Sequence, residues 1–254
     1  MDLGALLEPL GVAIHASRRA QLPTGSTVLV FGAGAVGLLV AAMGKISGAG
    51  TVVIADIDGG RVDFAVKNGF AHRGYTVSMK RGGTVEEGLS IAKETAAEVG
   101  KVQRPSGKPV GEVDAVFECT GVPSCLQAAI YVSFFKFPSL WTRTELSKAT
   151  RPGGKIMLIG MGTPVQILPI SAAALREVDL VGVFRYANTY PTGVEVVSKK
   201  GPKYPDFSKL VTHRYRGLED AKKAFEMAAK TKDDDGNLVI KVVLEMDDED
   251  KARL

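Results

Sequence analysis

The sequence predicts an α/β protein with a doubly wound parallel sheet. Between Thr27 and Asp58, an apolar run is followed by spaced glycines, a helical segment and a second apolar run that ends in an acid. Strand-like and helical segments then alternate as far as residue 184, and such alternation is typical of parallel sheets covered by helices. The 254 residues are 45% hydrophobic, so the chain is long and apolar enough for a large core.

The glycine-rich loop begins directly after the first predicted strand, Val28 to Phe31. Gly32, Gly34 and Gly37 follow at GxGxxG spacing and lead into a helix that runs to about Lys45. In such a loop the first glycine permits a sharp turn and the second lets the backbone approach a pyrophosphate. The third lets the helix pack on the strand, and the free N–H groups of the helix hold the anion. The loop therefore predicts a dinucleotide site, and an ordinary βαβ crossover is the alternative.

The second predicted strand, Thr51 to Ala55, ends at Asp56, nineteen positions after Gly37. A carboxylate at this place accepts hydrogen bonds from the hydroxyls of the adenosine ribose. Arg61 lies five residues further on, close enough to lean over an adenine ring. A surface arginine at a helix N-terminus is the alternative interpretation of Arg61.

Composition argues against several other classes of protein. The uncharged stretch from Gln21 to Gly44 is long enough for a membrane span, but glycines and a turn interrupt it and its basic flanks do not follow a membrane pattern. The net charge of +4 is modest, and the basic cluster at 199–203 indicates a solvated loop rather than a nucleic-acid surface. Cys119 and Cys125 form neither a CxxC motif nor a disulfide framework, and no signal peptide is visible. We therefore expect a soluble, cytoplasmic protein without nucleic-acid or membrane partners.

The rest of the chain reads as alternating elements. Before the first strand, a helix follows Glu8 and Pro9 and ends at Arg18 and Arg19, with His15 on its apolar side. We predict the remaining helices at 61–68, 84–99, from about 124, 171–177, after 191 and 218–229, and the remaining strands at 113–118, 155–159, 178–184, 209–215 and 238–244. Ligands of an open parallel sheet bind beyond the carboxyl ends of its strands. Thr120, Gly160 and Met161 are therefore expected in the same layer as the cofactor.

Several motifs together resemble the zinc-dependent polyol dehydrogenases, the sorbitol and xylitol dehydrogenases of the medium-chain superfamily, and fungal members in particular. These motifs are EPLGVAIHA, GAGAVG, IADIDGGR, ECTG, RPGGKIMLIGMG and REVDLVGVFRYANTYP. The resemblance covers nearly the whole chain except residues 132–148. It implies a Rossmann domain at 23–184, with remnants of a GroES-like catalytic domain at 1–22 and 185–254.

The resemblance also implies roles for individual residues. Val36, Asp56 and Arg61 match positions that contact NAD, and the nicotinamide is flanked by segments that match Ile159, Gly160 and Met161 and Val183, Phe184 and Arg185. Glu8 matches a glutamate that points at the zinc-bound water or substrate, while Arg185 and Tyr186 match substrate contacts. An acid such as Asp56 repels a 2′-phosphate, so NAD is favoured over NADP.

The chain departs from this family in its metal site. Family members begin with a β-rich domain that supplies Cys, His and Glu ligands to zinc, and Met1 falls at the junction after that domain. We expect no replacement for those ligands, because Cys119 and Cys125 belong to the nucleotide domain and Glu8 alone cannot hold the metal. The first hypothesis is an NAD-dependent polyol dehydrogenase that oxidises a secondary alcohol to a ketose. The alternatives are a non-catalytic NAD-binding module or inactive fragment, and a chain that hardly folds; a homo-oligomer is left open.

Residues 132–148 interrupt the passage that joins CLQAAIY to ATRPGGKIMLIGMG. The segment holds the only tryptophan and three of the ten phenylalanines, and such an apolar loop is hard to place on a soluble surface. One hypothesis is a translated, unspliced intron, and a lid or membrane-touching loop is the alternative. In either case the preceding helix is expected to end near Tyr131.

Overall fold

The computed structural model describes residues 3–131 and 150–246. In these ranges the chain forms a six-stranded parallel sheet and a separate pair of parallel strands. The strands are β1 (Thr27–Phe31), β2 (Thr51–Asp56), β3 (Arg73–Thr76), β4 (Val113–Glu118), β5 (Thr150–Leu158), β6 (Asp179–Gly182), β7 (Val211–Arg216) and β8 (Lys241–Glu245). The α-helices are α1 (Leu7–Ala20), α2 (Ala35–Ile46), α3 (Gly59–Lys67), α4 (Val85–Lys101), α5 (Pro123–Ile130), α6 (Ile170–Ala174), α7 (Tyr190–Ser198) and α8 (Ala221–Ala228), and short 3-10 turns occupy Gly4–Leu6, Phe207–Leu210 and Leu218–Asp220.

The strand order of the large sheet is β3-β2-β1-β4-β5-β6. The chain builds outward from β1 to β3 and then returns to place β4 on the other side of β1. Such a reversal opens a crevice at the carboxyl ends of the two central strands, where this fold binds ligands. The predicted fold class, a doubly wound parallel sheet, is confirmed.

The central strands are buried on both faces because helices cover both sides of the sheet. In β1, Val28 and Val30 belong to one core cluster and Leu29 and Phe31 to the other. Successive side chains of a strand point to opposite faces, so the two clusters are the two sides of one sheet. Helices α1, α2 and α7 contribute to the first cluster, and α4 and α5 to the second. This double burial explains why the strand is a continuous apolar run rather than an alternating one.

Several predicted elements are present with other ends: the helix predicted at 171–177 ends at Ala174, and the strand predicted at 238–244 begins at Lys241. Two strands differ by more than their ends. Strand β3, which is not predicted, adds four residues at the edge of the sheet. Strand β5 begins at Thr150, so residues 151–154, predicted as a turn, lie within it. Gly153 has a φ of +67°, and the register with β4 shifts there. The glycine pair thus forms a bulge inside the strand rather than a turn before it.

Helix α5 ends at Ile130, as expected from the predicted end near Tyr131. The predicted insert at 132–148 lies outside the described residues, as do residues 247–254. None of the helices in the described ranges combines the length and hydropathy of a membrane span.

Helix α1 packs against both α2 and α7, so it joins the start of the large sheet to the segment that follows β6. It begins at Leu7 after a 3-10 turn, so Glu8 lies within its first turn rather than before it. Arg18 near its end donates to the carbonyl of Asn188 at 2.9 Å and to Thr192 Oγ1 at 2.7 Å. These bonds fix the 186–192 segment beside the large sheet.

Candidate functional site

The three motif glycines meet different steric demands. Gly32 has a φ of +98°, in the region that favours glycine, and turns the chain off β1. At Gly37 a Cβ would lie 1.8 Å from the carbonyl oxygen of Gly32, so only glycine permits this approach of helix to loop. A Cβ on Gly34 would meet only Arg61 Nη1 among the described residues, at 3.8 Å. The surface beside Gly34 is therefore open, as the approach of a pyrophosphate requires.

The Asp56 carboxylate is held next to the glycine loop by two backbone donors. Ala33 N–H donates to Oδ2 at 2.6 Å, and Asp58 N–H donates to Oδ1 at 2.9 Å. An ionised carboxylate has about four acceptor positions, so each oxygen retains capacity for one more donor. The arrangement can accept from the two vicinal hydroxyls of a ribose.

A cavity of about 500 Å³ opens beside Asp56. Its lining comes from the β2–α3 connection, from Met79 and from a late segment of the chain, and consists of Asp56, Ile57, Asp58, Gly59, Arg61, Met79, Thr231 and Lys232. Asp58 caps α3 by accepting from Gly60 N–H at 2.8 Å and Arg61 N–H at 3.3 Å. The cavity thus lies at the end of β2, where the adenosine half of a dinucleotide is expected.

Arg61 lies between the glycine loop and Val239. Its Nη2 donates to the carbonyl of Val239 at 2.9 Å, and its Nη1 is the nearest group to the open face of Gly34. Its Nε is buried without a hydrogen-bond partner among the described residues. The guanidinium of Arg61 therefore lies beside Gly34, and its predicted contact with an adenine ring stays a prediction.

On the other side of the crevice, Glu118 organises the loop after β4. Its carboxylate is 3% exposed and accepts from the N–H groups of Thr120 at 2.7 Å and Gly121 at 3.0 Å, and from the Thr120 hydroxyl. Its backbone carbonyl accepts from Ile159 at 3.0 Å and Gly160 at 2.9 Å. One residue thus holds the loop of Thr120 and the loop of Ile159 and Gly160, both of which the sequence predicts to lie near a cofactor.

These two loops approach each other through glycines. A Cβ on Gly160 would lie 2.0 Å from the nitrogen of Gly121, and one on Gly162 would lie 1.8 Å from its oxygen. Thr120 is brought against the glycine loop of β1, since a Cβ on Gly32 would meet its Cγ2 at 3.0 Å. Thr120 and Gly160 therefore lie at one edge of the sheet, and their contact with a cofactor stays a prediction. Glu118 is not among the predicted site residues. The signal was present as a lone acid at the end of an apolar strand.

The residues after β6 extend the same edge. Val183 N–H donates to the carbonyl of Leu158 at 2.9 Å, and its side chain is buried. The Phe184 side chain is 74% exposed, and the Arg185 guanidinium lies 5.3 Å from its ring centroid. Met161 is 87% exposed on the neighbouring loop. An apolar surface with one cation therefore lies beside the crevice, while Val36, in the first turn of α2, packs partly into the core.

A second group of predicted residues gathers where α1 meets the segment before α7. The hydroxyls of Tyr186 and Tyr190 are 3.3 Å apart, and their rings pack edge to face with centroids 5.7 Å apart. The hydrogen bond with Tyr190 chiefly raises the pKa of Tyr186 to about 12, and burial and the Glu8 carboxylate add to it. Tyr186 therefore remains a protonated phenol at neutral pH and can donate to a substrate hydroxyl.

The described residues give no ligand set for a metal. In the ranges 3–131 and 150–246, no three His, Cys, Asp or Glu side chains lie together in a way that could hold an ion. Burial raises the pKa of the Cys119 thiol well above its usual range and that of Cys125 to about 11. Both thiols are therefore protonated at neutral pH.

The chain is similar over 248 residues to sorbitol dehydrogenases. It is 36% identical to that of Gallus gallus, over 98% of this chain and 58% of that protein, and 34% identical to that of Homo sapiens, over 98% and 57%. It therefore spans somewhat more than half the length of these curated relatives. No protein-family model matches it.

A solved structure of similar fold is an oxidoreductase/dehydrogenase of unknown specificity from Escherichia coli. The TM-score is 0.68 at 26% identity, and the match covers 96% of this chain and 57% of that one. The large sheet and the second strand pair thus follow an arrangement already known in dehydrogenases.

Proposed function

We propose that this chain, a homologue of the zinc-dependent medium-chain dehydrogenases in the sorbitol dehydrogenase branch, binds NAD at the carboxyl edge of its six-stranded sheet. The observation that carries the proposal is the pairing of the open backbone at Gly34 with the Asp56 carboxylate, 2.6 Å from the Ala33 nitrogen. The glycine loop receives the pyrophosphate, and Asp56 accepts from the adenosine ribose. The carboxylate disfavours a 2′-phosphate because the two groups carry like charge.

The residues before and after the large sheet serve the substrate in this proposal. When bound, NAD supplies a carbon that accepts a hydride from a secondary alcohol. Tyr186 donates a hydrogen bond to a polyol hydroxyl, Glu8 accepts one, and Arg185 binds a further oxygen. Thr120, Ile159 and Val183 hold the loops against which the nicotinamide ring lies, so that its reacting face is oriented and water is excluded.

We further propose that this polypeptide alone binds NAD without oxidising a polyol to a ketose. Alcohol oxidation in this family depends on a zinc site, and the described residues contain no cluster of three ligand side chains. The chain then corresponds to the dinucleotide-binding part of a dehydrogenase. The competing proposal, a complete catalyst, requires ligands from outside the described ranges.

Binding and turnover can be separated experimentally. We expect calorimetric titration of the purified chain to detect NAD binding, and we expect no NADH absorbance with sorbitol or xylitol, with or without added zinc. Bound zinc at about one ion per chain, together with turnover that is lost on Glu8→Gln, would establish the competing proposal. Absence of NAD binding by a folded chain would overturn both.

A further inference from the structure

The late segment 231–239, called here the C-terminal turn, packs on the start of α3. Val239 contributes its carbonyl to Arg61 Nη2 at 2.9 Å, and a Cβ on Gly60 would meet Leu238 Cδ2 at 3.6 Å. Lys232 Nζ lies 3.7 Å from Asp58 Oδ2. Three contacts of different kinds thus place this turn beside the predicted adenosine position.

The C-terminal turn has its own hydrogen-bond network. Val239 N–H donates to the carbonyl of Thr231 at 3.0 Å, which closes the turn. The Asp233 carboxylate accepts from Asn237 N–H at 2.6 Å and Asn237 Nδ2 at 2.9 Å, and from Asp235 N–H at 3.1 Å. A turn held in this way presents Lys232 from a fixed backbone position.

The lining of the 500 Å³ cavity carries two negative and two positive side chains. Asp56 and Asp58 supply two carboxylates, and Arg61 and Lys232 supply two cations. The Lys232 side chain is 50% exposed, and its 3.7 Å separation from Asp58 is longer than a charge-assisted hydrogen bond. Asp58 is already engaged as the cap of α3, so the lysine ammonium retains donors for a bound anion.

We propose that Lys232 is a second determinant of cofactor selectivity, which acts against Asp56. The inference rests on the proposed NAD site and adds a residue from the far end of the chain to it. Asp56 repels a 2′-phosphate on the adenosine ribose, while Lys232, with Arg61, attracts it. Removing the Asp56 carboxylate leaves the cavity with excess positive charge, and the 2′-phosphate of NADP binds between these two cations.

The test compares NAD and NADP binding to four purified chains by calorimetric titration. These are the wild type, Asp56→Ser, Asp56→Ser/Lys232→Met and the matched control Asp56→Ser/Lys230→Met. Lys230 pairs with Asp234 at 2.7 Å and does not line the cavity. The Lys230→Met substitution therefore removes the same charge as Lys232→Met, two residues away and outside the cavity. Thermal melting of each of the four chains checks that it is folded.

We expect Asp56→Ser to bind NADP more tightly than the wild type does. Adding Lys232→Met should weaken NADP binding about tenfold, because the loss of one charge-assisted hydrogen bond at a partly exposed site has about this effect. On the Asp56→Ser background, Lys232→Met should change NAD affinity by less than about twofold, and raising the salt concentration should shrink the NADP effect. Equal NADP affinity in the Lys232 and Lys230 variants would overturn the inference and leave the NAD site intact. Failure of the wild type to bind NAD would overturn the proposed function and this inference with it.

Discussion

The backbone N–H of Ala33 donates a 2.6 Å hydrogen bond to Asp56 Oδ2. This bond joins the glycine loop after β1 to the acid at the end of β2, two features that are 23 residues apart in sequence. The acid therefore positions the loop as well as offering acceptors to a ligand. Substitutions in this region should separate effects on binding from effects on stability.

The glycines provide one such separation. We expect Gly37→Ala to lower the free energy of unfolding by at least about 2 kcal/mol, because its Cβ would lie 1.8 Å from the Gly32 oxygen and the backbone must move. Gly34→Ala should cost less than about 1 kcal/mol, since the position has an ordinary φ of −77° and lies next to open space. Gly34→Ala should nevertheless abolish NAD binding. Denaturant unfolding and calorimetry measure the two quantities, and equal unfolding losses in both variants would contradict this division.

Removing the Glu118 carboxylate should destabilise the loop that follows β4, while the loop at 159–160 keeps its bonds to the Glu118 backbone carbonyl. Glu118→Ala leaves the N–H groups of Thr120 and Gly121 without their buried acceptor, so we expect a loss of about 2–4 kcal/mol. The control is Glu226→Ala, whose side chain is 63% exposed on α8, with an expected change within about 0.5 kcal/mol. Chemical unfolding compares them, and a Glu118 effect as small as the control would show that the network contributes little.

The stability of the chain should fall as pH drops below the ordinary histidine pKa. Burial, followed by the charges of Lys45 and Arg73, lowers the pKa of His72, whose Nδ1 accepts from Val52 N–H at 2.9 Å. The unfolded chain then binds a proton below about pH 6.5 that the folded chain does not, so stability rises with pH through this window. The slope due to this one group is at most about 1.4 kcal/mol per pH unit.

The control for His72 is His72→Asn, whose amide oxygen can accept from Val52 without titrating. Unfolding by denaturant across pH 5 to 7.5 should give a flatter profile for this variant than for the wild type. His15 and His213 are present in both chains, so the difference isolates His72. Parallel profiles would contradict the assignment.

Tyr186 offers a test of the substrate-side group. Its pKa of about 12 arises first from the hydrogen bond with Tyr190, so Tyr190→Phe should lower it toward the usual value near 10. Tyr215→Phe, on β7, serves as the control and should leave it unchanged. Carbon NMR of labelled tyrosines follows each phenol, and an unaltered Tyr186 midpoint in Tyr190→Phe would show that the pair is not coupled.

Sequence reasoning identified the features that depend on local chemistry. The glycine loop, β2 with its terminal acid, and β4 are patterns that short stretches of residues specify by themselves. Strand β3 was missed because Arg73–Thr76 is short, partly exposed and not apolar. The sequence predicts a turn where β5 has a bulge, because a glycine pair such as Gly153 and Gly154 occurs in turns and in bulges alike.

Contacts between residues that are far apart in the sequence could not be predicted from local patterns. From the sequence, Glu118 is predicted only as the last residue of β4. Nothing in the neighbouring residues indicates that the loops at 119–121 and 159–160 both form hydrogen bonds with it. The bond from Arg61 to Val239 joins residues 178 positions apart, and no periodicity indicates it. The role of the C-terminal turn beside the cavity therefore emerges only from the folded chain.

The most direct measurement is the ratio of NAD to NADP affinity in the wild type and in Asp56→Ala. Loss of the carboxylate should weaken NAD about tenfold to a hundredfold, because two hydrogen bonds to a charged acceptor disappear, and should leave NADP unchanged or tighter. The matched control Asp63→Ala removes an acid from the same region, on α3, where Asp63 pairs with Lys67 at 3.3 Å, and should leave the ratio as in the wild type. Calorimetric titration gives all six affinities. A ratio that falls in Asp56→Ala alone is the predicted result, and equal losses for both cofactors would contradict the assignment of Asp56 to the adenosine ribose.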